Sequence, residues 1–332
     1  MKKALKLLKI SAAALLAAWV GSGVAATSIP TNFTNVGSIA NTRHNLSQST
    51  IGAGIRNTMD LARNDYGEVC VYCHTPHGAN TNIGAAPLWN RTMKSNTYQT
   101  YNEVGTATLT QTVTQPGASS LTCLSCHDGT TAVDSILNMP TVAYTAGGGG
   151  LNGTANKHGY NAAQATTQNT TFLNSWDNPA GRVNTVSHMG LNSKNNIMGD
   201  GTGTQGCLTC HADTGAIGGA TDFTVFLIGT DLRNDHPVGI TFPLTGPVAV
   251  DFHQPNGNIP GKAKFFDNNN NGLMEKDEIR LYNTGQGPEV ECASCHDPHG
   301  VPSAGVGSQF NATFLRVNQS QGSKVCLTCH NK

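Results

Sequence analysis

An apolar run from roughly Ile10 to Val20 follows four lysines, Lys2, Lys3, Lys6 and Lys9, and leads into the small residues Val24-Ala25-Ala26. That order reads as a secretory signal cut near Ala26. An uncleaved anchor is the alternative, but the run is shorter than the roughly 20 apolar residues that span a bilayer. Farther on, Thr224-Val225-Phe226-Leu227-Ile228 and Val248-Ala249-Val250 are apolar stretches bounded by Gly or Pro, and both are predicted as strands. Residues 140–200 hold Gly147 to Gly150 in a row among repeated Asn and Thr, which predicts a loop-rich insertion. The pattern gives a signal segment over 1–26 and one domain over 27–332.

Composition narrows the class. Charged residues are 12% of the chain and aromatics 6%, with 38 glycines, so little bulky apolar side chain exists for an ordinary core. The expected fold is mostly irregular and coil-rich, with short helices, a few short strands and a core built largely from cofactors. Loss of the signal removes four of 20 basic residues and none of the 20 acidic ones, so 16 stand against 20 and the net is −4. Nucleic-acid binding, which requires a basic patch, finds no support. No cysteine near the cut points to a lipid anchor. The mature chain is expected to be exported, without a membrane span.

All ten cysteines fall in five Cys-x-x-Cys-His units: Cys70/Cys73/His74, Cys123/Cys126/His127, Cys207/Cys210/His211, Cys292/Cys295/His296 and Cys326/Cys329/His330. Each reads as a covalent attachment site for c-type haem. Cysteines three apart share one face of a helical turn, so both can bond the vinyl groups of one porphyrin while the next residue, His, reaches the iron. Disulfides or zinc are the alternatives, but neither explains the histidines. With 12 His in 332 residues, a His follows a random position about once in 28 trials. The expected cofactors are therefore five haem c groups.

Seven histidines remain for the far side of the irons: His44, His77, His158, His188, His236, His253 and His299. Five would close every iron. Met59, Met93, Met139, Met189, Met198 and Met274 show no repeated relation to the motifs and read as packing side chains. Two of the seven histidines share a unit, Cys73-His74-Thr75-Pro76-His77-Gly78 and Cys295-His296-Asp297-Pro298-His299-Gly300, in which Pro and Gly end the helical turn. The second His cannot reach the opposite face of its own haem. It serves a neighbouring iron, in this chain or another, or else is a plain surface turn residue.

Several segments together carry a family resemblance: Asn41-Thr42-Arg43-His44-Asn45-Leu46-Ser47, Val69-Cys70-Val71-Tyr72-Cys73-His74-Thr75-Pro76-His77, Pro87-Leu88-Trp89-Asn90, Leu124-Ser125-Cys126-His127-Asp128-Gly129, Asn234-Asp235-His236-Pro237-Val238 and Cys292-Ala293-Ser294-Cys295-His296-Asp297-Pro298-His299. The chain resembles the extracellular multihaem cytochromes of metal-reducing bacteria, some of which polymerise into filaments, among them the outer-surface cytochromes lettered E and S. The resemblance implies distal iron ligation by His44, His77, His236 and His299, with His77 crossing to an adjacent protomer. The haem at Cys207 is a departure, since the similar proteins carry four. Its extra ligand is assigned first to His188, ahead of His158 and His253.

Residues 267–278 match a twelve-residue calcium loop. Asp267, Asn269 and Asn271 are the first donors, Gly272 is the turn, Leu273 offers its carbonyl, and Glu275 and Glu278 complete the set. Asn-Gly is also an ordinary turn signal. One Ca2+ is expected, in a lone structural loop.

Three function classes follow: a conduit, as filament subunit or surface relay passing electrons from partner cytochromes to external acceptors; a monomeric shuttle in the periplasm or outside the cell; and a multihaem reductase. A reductase needs an open iron. Five proximal histidines and seven others favour closed irons, hence electron transfer rather than catalysis.

Overall fold

The computed structural model describes residues 33–46, 68–81, 83, 86, 88–91, 96–105, 109–131, 133–138, 207–209, 211, 222–320 and 322–331. The signal segment, the 140–200 insertion, His158, His188 and Cys210 lie outside them.

Its largest regular feature is a five-stranded antiparallel sheet: β1 (Ile240–Thr241), β2 (Gly257–Ile259), β3 (Ala263–Phe265), β4 (Arg280–Asn283) and β5 (Pro288–Val290), in the order β1-β5-β4-β3-β2. The register pairs Phe265 with Arg280 and with Gly257. Only glycine fits at 257, because a Cβ there would collide with the Phe265 ring. Phe242, Phe266, Ile279, Leu281 and Val317 form the buried cluster on this sheet, each burial contributing roughly 2 kcal/mol. Cys295 and Cys329 pack against the same cluster, so the sheet supports the last two motifs directly.

Three α-helices are present among the described residues: α1 (Ala118–His127), α2 (Cys292–Cys295) and α3 (Lys324–Cys329), all ending in a Cys-x-x-Cys-His unit. Single turns of tighter helix cover Cys70–Tyr72 and Cys207–Thr209. A second small cluster, Tyr98, Leu124 and Leu232, seats α1. None of the described helices is long and apolar enough to cross a membrane.

Both predicted strands are corrected. Thr224–Phe226 is a helical turn, started by the Asp222 carboxylate accepting the Thr224 N–H at 2.8 Å. Pro247–Asp251 is another, entered through Gly246 at φ 91° with Pro at its start. Val225 and Val250 are 74% and 73% exposed, so neither run has the buried face that a strand reading assumed.

Candidate haem sites

The motifs share one local geometry. The backbone N–H of His74, His211, His296 and His330 donates to the carbonyl of the first cysteine in its unit, Cys70, Cys207, Cys292 and Cys326, at 2.8, 3.0, 3.1 and 2.9 Å. His127 closes α1 in the same way. This is one α-turn, which in the motifs at 70, 123, 292 and 326 carries both sulfurs and the imidazole on one side. The cysteines at 70/73, 123/126, 292/295 and 326/329 are not disulfide-bonded. Their sulfurs stand where haem thioethers would attach.

Flanking residues hold each turn. Asn90 clamps the first motif, its N–H on the Cys73 carbonyl at 2.8 Å and its amide on Val71 at 2.7 Å. Glu291 caps α2 reciprocally with Ser294 and also accepts the Gly117 N–H at the start of α1. Gly300, at φ 84° with the Phe310 ring where a Cβ would go, turns the chain after His299.

Three distal candidates face proximal histidines. His44 stands opposite His127 with ring centroids 6.2 Å apart, His299 opposite His74 at 6.1 Å, and His236 opposite His330 at 6.5 Å. Two metal–imidazole bonds of about 2 Å each, plus the half-widths of two rings, put the centroids about 6 Å apart. These pairs therefore fit an iron held between two imidazoles.

The other ring nitrogen is occupied in five cases. Nδ1 donates to Pro298 O in His44 (3.2 Å), Phe226 O in His127 (2.8 Å), Pro237 O in His236 (3.0 Å) and Thr313 O in His296 (2.7 Å). In His299 it donates to a carboxylate, Asp297 Oδ1, at 3.1 Å. Such bonds fix the tautomer that leaves Nε2 available to a metal. Burial, with the neighbouring His127 ring, pushes His44 down to about 4, keeping it neutral; burial likewise lowers His127. The bond to Asp297 raises His299.

The motifs adjoin one another in space. The first reaches the second through Asn90 and Arg91: Asn90 holds Cys73, and Arg91 donates to Ser125 O at 2.8 Å. The Cys292 N–H donates to Ser120 Oγ at 2.8 Å and α2 packs on α1, joining second to fourth. Cys295 and Cys329 pack against one buried cluster, joining fourth to fifth. The third reaches the second through Phe223, whose N–H donates to His211 O at 2.7 Å and whose ring stacks on His211 at 3.9 Å, and then through Phe226. The first motif also meets the fourth unit, His74 facing His299, so motifs one, two and four are mutual neighbours, with the fifth beside the fourth and the third beside the second.

Two expected histidines are not paired in this way. His77 is exposed and faces no proximal ring among the described residues, and His253 is exposed beside the fifth motif, its N–H on Cys329 O. No described histidine stands opposite His296. The 267–278 loop joins β3 to β4. Asp267 accepts the N–H groups of Asn271 and Gly272, Asn269 and Asn271 each accept one from two residues on, and Glu278 accepts those of Asn268 and Glu275. Asp267 and Glu278 are buried, whereas Leu273 is exposed. Among the described residues no cluster of three or more His, Cys, Asp or Glu side chains could hold a metal ion, so a cation here would depend on the asparagine and main-chain oxygens.

Sequence reasoning missed Asn90, Arg91, Asp297 and Glu291 as supports of these sites. Asp297 alone had a signal, its place between the two histidines of its unit.

Residues 286–332, which hold the fourth and fifth motifs, match the family described as a doubled CXXCH motif. No curated protein matches the chain. The family match supports haem c attachment and electron transfer.

Proposed function

We propose that this chain is an electron conduit carrying five haem c groups, each iron closed by two histidines. The observation that carries the reading is the set of three imidazole pairs at 6.1, 6.2 and 6.5 Å within one group of contacting motifs. When bound, haem supplies a one-electron Fe(III)/Fe(II) couple whose potential the axial ligands set. The chain's part is to hold paired imidazoles in one orientation, so that little rearranges when the electron arrives. His74/His299, His127/His44 and His330/His236 close three irons. The fourth iron, on His296, takes His77 of a second copy, which makes the chain a homopolymer; His77 is exposed and available for that role. The remaining iron, at the third motif on His211, would take His188.

Export after signal cleavage, a place at the cell surface, exchange with partner cytochromes and one structural Ca2+ in the 267–278 loop belong to the same proposal. Closed irons leave no substrate position, so no catalysis is assigned. Electron paramagnetic resonance of the ferric holoprotein tests this: only low-spin six-coordinate signals are expected, and a high-spin signal from one haem in intact protein would favour a reductase instead.

A further inference from the structure

The histidine at 299 differs from His44, His127, His236 and His296 in what its second nitrogen meets. His44, His127, His236 and His296 donate Nδ1–H to backbone carbonyls, which are neutral. His299 donates to the Asp297 carboxylate, which also accepts the His299 backbone N–H at 3.0 Å. The carboxylate is itself fixed. Its second oxygen accepts from Arg316 Nη1 at 3.2 Å, and Arg316 is 4% exposed, anchored by Ala293 O at 2.9 Å and Lys276 O at 2.8 Å. Arg316 keeps the carboxylate in place and charged; Asp297 in turn fixes the imidazole.

We infer that Asp297 is a positioning and tuning residue for the haem at Cys70/Cys73, lowering its reduction potential through His299. The inference rests on the reading of His299 as an iron ligand. An anionic acceptor on Nδ1 pushes electron density through the ring to Nε2, making the imidazole a stronger donor that favours Fe(III) over Fe(II). One electron enters the iron and one leaves, with no bond made or broken. Asp297 would therefore make this haem harder to reduce than a carbonyl-bonded ligand would.

The test is spectroelectrochemical titration of holoprotein with dithionite as reductant, comparing wild type with Asp297→Asn, Asp297→Glu and His299→Ala. Asp297→Asn is expected to keep haem content and low-spin signals while one component moves to more positive potential. Asp297→Glu restores it. If His299→Ala produces one high-spin haem but Asp297→Asn moves no component, the tuning role is overturned and the ligand reading stands. If His299→Ala leaves every haem low-spin, the ligand reading itself falls, and the inference with it. Should Asp297→Asn not mature, wild type decides: the inference requires one ferric haem whose near-infrared charge-transfer band lies at higher energy than the rest, and a uniform band would overturn it.

Discussion

The guanidinium of Arg91 donates to the main-chain carbonyl of Ser125 at 2.8 Å, joining the strap that clamps the first motif to the helix that carries the second. It also reaches Val133 O at 2.7 Å and Ser125 Oγ at 3.2 Å, and its side chain is fully buried. Asn90, its neighbour, holds Cys73 and Val71. Arg91 thus sets the spacing of two motifs that lie far apart in sequence.

Replacing it strands those acceptors. A buried acceptor left without a donor costs about 1–3 kcal/mol, so Arg91→Met is expected to destabilise the holoprotein by about 3 kcal/mol. Thermal unfolding followed in the far ultraviolet measures it. A midpoint equal to wild type would mean that the strap is held elsewhere.

Ligand exchange at His44 gives a second prediction. His44 faces His127, and methionine in place of histidine raises the potential of a haem. His44→Met is expected to shift one redox component to markedly higher potential and leave the others in place. An unchanged titration would remove His44 from the second iron.

Stability should depend on pH through Glu291. Burial raises its pKa to about 7, against the opposing hydrogen bonds from Ser120 and Gly117. The folded chain therefore keeps a proton that the unfolded chain releases at about 4.5. Between those values the folded state binds more protons, so stability falls as pH rises from about 4.5 to 7 and is flat above. The amplitude is at most about 3 kcal/mol. Glu291→Gln is expected to remove this component from the pH dependence of thermal unfolding; an identical pH profile in the variant would contradict the assignment.

The 267–278 loop predicts a response to calcium. Asp267 and Glu278 brace the turn between β3 and β4. Added Ca2+ is expected to raise the thermal midpoint, a chelator to reverse the rise, and Glu278→Gln to abolish both. Calorimetric titration showing no heat of binding in wild type would leave the loop an ordinary asparagine-rich turn.

What could be read from sequence was whatever is local. The motif cysteines and their histidines are fixed by a spacing that one helical turn enforces, and Pro and Gly mark where each turn stops. Partner choice is different. That His44 meets His127, or His299 meets His74, depends on long-range supports such as Arg91, Asn90 and Glu291, which show no periodicity. The strand predictions failed for a related reason. Apolar content at 224–228 and 248–250 suggested buried strands, but the Asp222 carboxylate and Pro247 start helical turns there, and their valines face outward. Of the real strands, β3 alternates, with Ala263 and Phe265 buried about Lys264, whereas β4 buries Arg280 and Leu281 side by side and carries no such signal.

Electron microscopy of holoprotein taken from its native cell surface or culture supernatant, without refolding, tests the central claim most directly. The account predicts filaments in which irons lie between His74 and His299, His127 and His44, and His330 and His236, with His77 of one copy on the His296 iron of the next. Monodisperse particles whose irons are all ligated within one chain would contradict it and make the protein a discrete carrier.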